Sequence, residues 1–293
     1  MIEPHRGSVW PEGTDHSVVS GRTAIISGAS RGIGAAVART LAGAGARVVL
    51  LAKSGHSSPG RLPGSVDDVA AEINATGGSA LPFVGDLRSD EDIESAIAAA
   101  VAEFGGIDIV VNNAAAFDTT PTAEISMKRY DLLNQINARG AFSLTRAALP
   151  HLQQSDHAHV LTISPPLTIE PRWLGPHTAY TVSKYAMSLM TLGLAAELAE
   201  VPIAANSLWP SVSVATEAIR TVLGEETAAS RSRSPEVMAD AALEILSRSP
   251  GDYSGNLVTD VEVLRSAGVE NFSKYLLGGA EEDLFPSWFL PGS

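Results

Sequence analysis

"IISGASRGIGAAVART", residues 25–40, decides how this chain is read. An apolar run leads into three glycines, Gly28, Gly32 and Gly34, and the sequence then turns alanine-rich. That order predicts a strand, a tight turn and a helix. The first glycine permits the turn, the second lets backbone approach a diphosphate, and the third lets helix and strand pack closely. The helix N-terminus then presents free N–H groups and a partial positive charge to an anion. A glycine triplet alone is weak evidence. Here it follows the first strand and opens the first helix, which favours a nucleotide cradle over an ordinary turn.

Outward from this unit the alternation repeats. The apolar runs are "TAIIS" (23–27), "RVVLLA" (47–52), "ALPFV" (80–84), "IDIVV" (107–111), "HVLTI" (159–163), "IAANSL" (203–208) and "NLVTD" (256–260). Alanine-rich helical stretches separate them, one long one lying around 125–154. Strands alternating with helices predict an α/β fold: a single Rossmann-type, doubly wound parallel sheet of about seven strands with helices on both faces. Residues 1–21 read as an N-terminal arm, 22–265 as the domain and 266–293 as a C-terminal extension. A Gly/Pro/Ser loop at 53–66 follows the second strand, at the sheet end where ligands bind.

Composition narrows the partners. The 293 residues are 45% hydrophobic and 18% charged, which fits one large domain. A net charge of −13 disfavours nucleic acid and anionic membranes. The absence of cysteine removes disulfides, thiolate catalysis and zinc-thiolate sites. No apolar run reaches transmembrane length and the polar start is unlike a signal peptide, so the expectation is a soluble, cytoplasmic protein.

Two further features carry chemistry. The second strand ends at Lys53, where a free ribose 2′-hydroxyl would meet an Asp or Glu, and Arg31 sits in the glycine loop. Two cations suit a 2′-phosphate, so NADP(H) is favoured and NAD(H) remains possible; the plainer reading of Lys53 is a solvated lysine. Tyr180 and Lys184 are four apart, on one face of a helix. An ammonium beside a phenol favours the phenolate and would lower its pKa toward useful acid/base chemistry. Ser164 is the best nearby hydroxyl for holding a substrate oxygen, with Thr168 in reserve.

Together, "SGASRGIG", "NNAA", Asn137 and Tyr180-x-x-x-Lys184 resemble the short-chain dehydrogenase/reductase family, over roughly residues 22–265. "ISPPL", "HTAYTVSKYAMS", "NSLWP" and "MKRYD" narrow the likeness to its hydroxysteroid dehydrogenase-like protein 2 subgroup, without that subgroup's sterol-carrier-like extension. The resemblance implies cofactor contacts at Gly28, Ser30, Arg31, Gly32, Ile33, Gly34, Lys53, Asp86, Leu87, Asn113, Ala114 and Lys184. It implies further contacts at Val214 and Thr216, although "WPSVSVAT" departs from the family's usual Pro-Gly. Tyr180 would be the acid/base, Asn137 would anchor a proton-relay water, and the helices bearing them would pair subunits into a dimer or tetramer. The family's serine normally sits about thirteen residues before the tyrosine, which here is Leu167; the strand end aligns it with Ser164 or Pro165.

The expected function is therefore NAD(P)-dependent oxidation or reduction of a hydrophobic alcohol, aldehyde or ketone, terpenoid- or lipid-derived. A nucleotide-binding regulatory protein without effective chemistry is the alternative. Trp173, Met187 and Trp209 favour an apolar substrate, and core packing explains each equally well. His177 either edges the pocket or merely starts a helix. His151, His157 and His159, with Asp156 among them, are expected to be solvated, with no metal. The extension carries Phe272, Tyr275, Leu276, Leu277, Leu284, Phe285, Trp288, Phe289 and Leu290. That is too apolar for a free tail, so it is expected to cover the cleft or a neighbouring subunit, or else a flank of its own sheet.

Overall fold

The computed structural model describes residues 15–55 and 63–290. Most of the expected N-terminal arm and residues 56–62 of the Gly/Pro/Ser loop lie outside the described residues. Seven strands, β1 (Thr23–Ser27), β2 (Arg47–Ala52), β3 (Ser79–Val84), β4 (Ile109–Asn112), β5 (Ala158–Ile163), β6 (Ile203–Trp209) and β7 (Leu257–Thr259), form one sheet in the order β3-β2-β1-β4-β5-β6-β7. Every pairing is parallel. The helices are α1 (Gly32–Gly43), α2 (Val66–Ala75), α3 (Asp90–Phe104), α4 (Met127–Leu133), α5 (Ala141–Leu152), α6 (Pro171–Leu174), α7 (Thr178–Glu197), α8 (Glu217–Leu223), α9 (Glu225–Arg231), α10 (Glu236–Ser247) and α11 (Asp260–Ser266). This is the Rossmann-type doubly wound architecture.

The strands read as apolar runs because both sheet faces are covered. Side chains alternate: Ala24 and Ile26 of β1 pack with Val37, Leu41, Met238 and Leu246 of α1 and α10. Ile25, between them, packs with Ile93 and Leu144 of α3 and α5. Pro82 is tolerated in β3 because that strand is an edge. Ser65 and Ser89 start α2 and α3 by accepting from Asp68 N and Asp92 N.

Winding reverses after β3, when the chain crosses to β4 on the far side of β1. Such a switch point opens a crevice at the carboxyl ends of the strands. The long helical stretch is broken on the way: seven π-helical residues, Asn134–Gly140, join α4 to α5. The wider turn carries Asn137, which is fully buried.

Among the described residues no strand follows α11. Ser213 N donates to Phe285 O and Ser287 N to Ser211 O, which straps the C-terminal segment onto the loop after β6. Among the described residues no helix is long and apolar enough to cross a membrane.

Candidate active site

A cleft of about 1200 Å³ opens at the switch point. Its floor is the glycine turn between β1 and α1. Gly28 has φ +69°, and a Cβ there would lie 2.9 Å from Ala114 Cα, so this position needs glycine. A Cβ on Gly34 would lie 2.5 Å from Gly28 O and from Asn113 Nδ2. Gly34 therefore serves helix–strand packing and does not line the cleft. Arg31, the residue before α1, makes no side-chain cap, so the first N–H groups of the helix remain available beside Gly32 and Ile33. Ser27 Oγ accepts from Asn113 N and Ala114 N, both at 3.1 Å, and fixes the end of β4 against this turn. Gly28, Ser30, Arg31, Lys53, Asp86, Leu87, Asn113, Ala114, Val214 and Thr216 all line the same cleft.

At one end two cations converge. Arg31 Nη2 donates to Ser54 Oγ (3.0 Å) and Gly64 O (2.9 Å), across the loop after β2. Lys53 is neither buried nor simply solvated: its Nζ lies 3.0 Å from Asp86 Oδ2. Hydrogen bonding from Arg88, followed by Lys53, holds the Asp86 carboxyl well below the usual carboxylate range.

At the other end α7 presents Tyr180 and Lys184. The Tyr180 ring meets Phe117 edge-on at 5.0 Å and lies 6.3 Å from Phe289 and 6.4 Å from Trp288. Lys184 Nζ donates to Ile163 O at 2.6 Å and sits 5.2 Å above the Trp209 ring. The expected lowering of the phenol by its neighbour is not what this packing produces. Burial pushes the Tyr180 hydroxyl above its ordinary pKa and pulls the Lys184 ammonium down to about 7, because a low-dielectric setting penalises both charged forms.

Ser164 requires a correction. Its hydroxyl is completely buried and lies 2.9 Å from Ser207 Oγ on β6. Ile163 lines the cleft, and strand alternation turns the next side chain away from it. Thr168 does not take its place: its Oγ1 accepts from Glu170 N, and its backbone bonds to the Tyr185 hydroxyl. Asn137 also stands off the cleft. Its side chain pairs with both backbone groups of Ala116, at 2.7 and 3.0 Å, and donates to Ser183 Oγ at 2.9 Å. It ties the chain after β4 to α7.

Trp173 and Trp209 line the cleft, whereas Met187 packs beneath Lys184, with Sδ 3.4 Å from Nζ. His157 and His159 are not solvated. Both are buried, 4.6 Å apart between rings, and His157 Nε2 meets Leu246 O at 2.7 Å. No group of three possible metal ligands occurs among the described residues. Nothing in the sequence pattern marks Phe117 as a cleft residue. The aromatic tail is visible in the sequence, but the placement of Trp288 in the cleft wall and of Phe289 behind it needs the tertiary structure.

The fold agrees with comparisons to known proteins. A hydroxysteroid dehydrogenase-like protein 2 from Xenopus tropicalis is 43% identical over 275 residues, 94% of this chain and 65% of that protein; the chain thus spans about two thirds of that relative's length. A solved short chain dehydrogenase from Mycobacterium thermoresistibile superposes with a TM-score of 0.86 at 43% identity, covering 93% of this chain and 96% of that one. A metagenomic short-chain oxidoreductase solved in complex with NADP gives 0.66 at 27% identity, covering 82% and 97%. The family model for short chain dehydrogenases matches residues 22–226, and the chain belongs to the short-chain dehydrogenase/reductase family.

Proposed function

We propose that the chain is an oxidoreductase that moves hydride between a nicotinamide cofactor and a hydrophobic alcohol, aldehyde or ketone, with NADP(H) preferred. One observation carries the reading: Tyr180 and Lys184, a helical turn apart on α7, share a cleft with the uncapped N-terminus of α1. The residues present fit a dinucleotide. Gly32, Ile33 and Ser30 would hold the diphosphate, Asn113 and Ala114 would border the adenine ribose, Asp86 and Leu87 the adenine, and Val214 and Thr216 the nicotinamide end. Arg31 and Lys53 would face a 2′-phosphate, and the NADP-bound relative supports that choice. When bound, the cofactor supplies the hydride.

The chain's own residues manage the proton and the oxygen. Tyr180 Oη donates its proton to the carbonyl oxygen in reduction and takes one back in oxidation. Lys184, anchored on Ile163 O, lies one turn along the same helix face and, when protonated, favours the phenolate. Asn137 positions rather than reacts, by locking the chain after β4 onto α7. Phe117, Trp173, Trp209 and Trp288 exclude water and suit an apolar substrate of terpenoid or lipid origin. Phe142, Val182 and Leu189 are exposed on α5 and α7, which supports a homodimer or homotetramer through those helices.

The test is a panel of alcohols and carbonyls followed by the absorbance of reduced nicotinamide. Tyr180→Phe should lose turnover by on the order of 10²–10⁴-fold while cofactor affinity stays within about threefold. Equal turnover would remove Tyr180 from the chemistry. Cofactor binding without turnover on any class would favour a nucleotide-binding protein.

A further inference from the structure

With Ser164 turned away, a different polar group faces the substrate space. His177 lines the cleft and is only 6% exposed. It occupies the N-cap position of α7 but makes no side-chain cap there, so starting the helix is not what its ring does. Its Nδ1 lies 3.0 Å from Thr181 Oγ1. That hydroxyl has one hydrogen, directed to Trp173 O at 2.9 Å. A carbonyl oxygen only accepts, so Thr181 donates to it and must accept from His177. The imidazole proton therefore resides on Nδ1, and Nε2 is left with a bare lone pair. Nε2 has no hydrogen-bond partner among the described residues. Trp288 stacks on the ring at 4.3 Å and 10°, which fixes its plane. Burial lowers the pKa of His177 and keeps the ring neutral around neutral pH.

An acceptor at the cleft wall with no protein partner is served by water, and a ligand that displaces that water leaves it unpaired unless the ligand supplies a donor. The reacting carbonyl supplies none. We infer that His177 is a specificity-determining residue whose Nε2 accepts a hydrogen bond from a substrate hydroxyl close to the reacting carbon, so that the substrate class is hydroxylated carbonyls and the corresponding diols. The His177 and Tyr180 ring centroids lie 6.2 Å apart, which places that hydroxyl at the same end of the substrate as the oxygen held by Tyr180. A site built around such a hydroxyl rejects the analogue that lacks it more strongly than a purely apolar pocket can. The assignment rests on the Tyr180 reading above.

The experiment compares cyclohexanone with α-hydroxycyclohexanone. Affinity is read from tryptophan fluorescence quenching without cofactor, and turnover with NADPH. The wild type should favour the hydroxyketone about tenfold or more in both. His177→Gln, whose amide reaches the Nε2 position, should keep most of that ratio. His177→Asn, which reaches only the Nδ1 position and so preserves the Thr181 bond, should bring it close to one, as should His177→Phe. Melting temperatures of all three variants separate binding loss from unfolding. A wild-type ratio near one, a ratio that survives in His177→Phe, or rescue by Asn in place of Gln overturns the inference. If both ketones are reduced equally, the oxidoreductase reading stands and this one falls. If the hydroxyketone binds preferentially but neither ketone turns over, the reverse holds.

Discussion

Phe289→Ala is the sharpest probe of the C-terminal strap. Phe289 is fully buried, with the rings of Trp173, His177, Tyr180, Tyr185, Trp209 and Trp288 at centroid distances of 5.4 to 6.5 Å. Removing such a ring costs about 3–5 kcal/mol, as lost transfer energy plus the cavity left behind. Its backbone stands at φ +69°, the only non-glycine residue described in the left-handed region, which costs a further ~1–2 kcal/mol for any residue bearing a Cβ. Alanine keeps that strain and glycine releases it, so Phe289→Gly should be no less stable than Phe289→Ala despite the smaller side chain. Phe285→Ala is the internal control: Phe285 is 40% exposed, stacked on the Arg231 guanidinium, and should cost no more than about 1 kcal/mol. Equilibrium urea denaturation followed by tryptophan fluorescence measures all three. The same cavity would let water nearer Tyr180, so ultraviolet titration should show its phenol falling back toward the ordinary value, since burial is what raises it. If Phe289→Ala costs no more than Phe285→Ala, and the Tyr180 titration does not move, the strap is not packed against the site and the argument fails.

Lys184→Met should abolish turnover yet change the pH dependence of stability in a defined direction. The folded pKa, about 7, lies below the ordinary lysine value of 10.5, so between those values the unfolded chain holds more protons and wild-type stability rises with pH. The slope is at most ~1.4 kcal/mol per pH unit, and the difference between wild type and variant in urea titrations should carry it; a pH-independent difference refutes the assignment. Lys53→Glu should weaken NADP(H) by on the order of 1–3 kcal/mol and improve NAD(H) relative to it, in fluorescence titrations of both cofactors. An unchanged preference would leave the 2′-phosphate to Arg31 alone or point to NAD(H). Gly34→Ala places a Cβ 2.5 Å from Gly28 O, a backbone atom that cannot move aside, so both melting temperature and cofactor affinity should drop; a variant of normal stability would show that α1 and β1 have slack that this geometry denies.

The amino-acid sequence alone determined the sheet. Parallel strands covered on both faces appear as unbroken apolar runs, and the seven runs coincide with β1 to β7 to within two residues. The glycine turn and the Tyr180/Lys184 pair were also legible, since each depends only on neighbours within one or two helical turns. Tertiary structure decided the rest. Ser164 looked available because its residue type was right, but which way a strand residue faces depends on the sheet it joins, and Ser207 lies opposite it on β6. Asn137 belongs to the long helical stretch the sequence predicts, while the π-helical turn around it and its bonds to Ala116 and to Ser183 of α7 are seen only in the folded chain. Composition showed that the extension had to bury its aromatic residues; only the folded chain set Trp288 on His177 and Phe289 behind Tyr180. The ionisation of Tyr180 and Lys184 followed the same division, because spacing fixes which groups are neighbours, whereas desolvation depends on everything that distant parts of the chain pack around them.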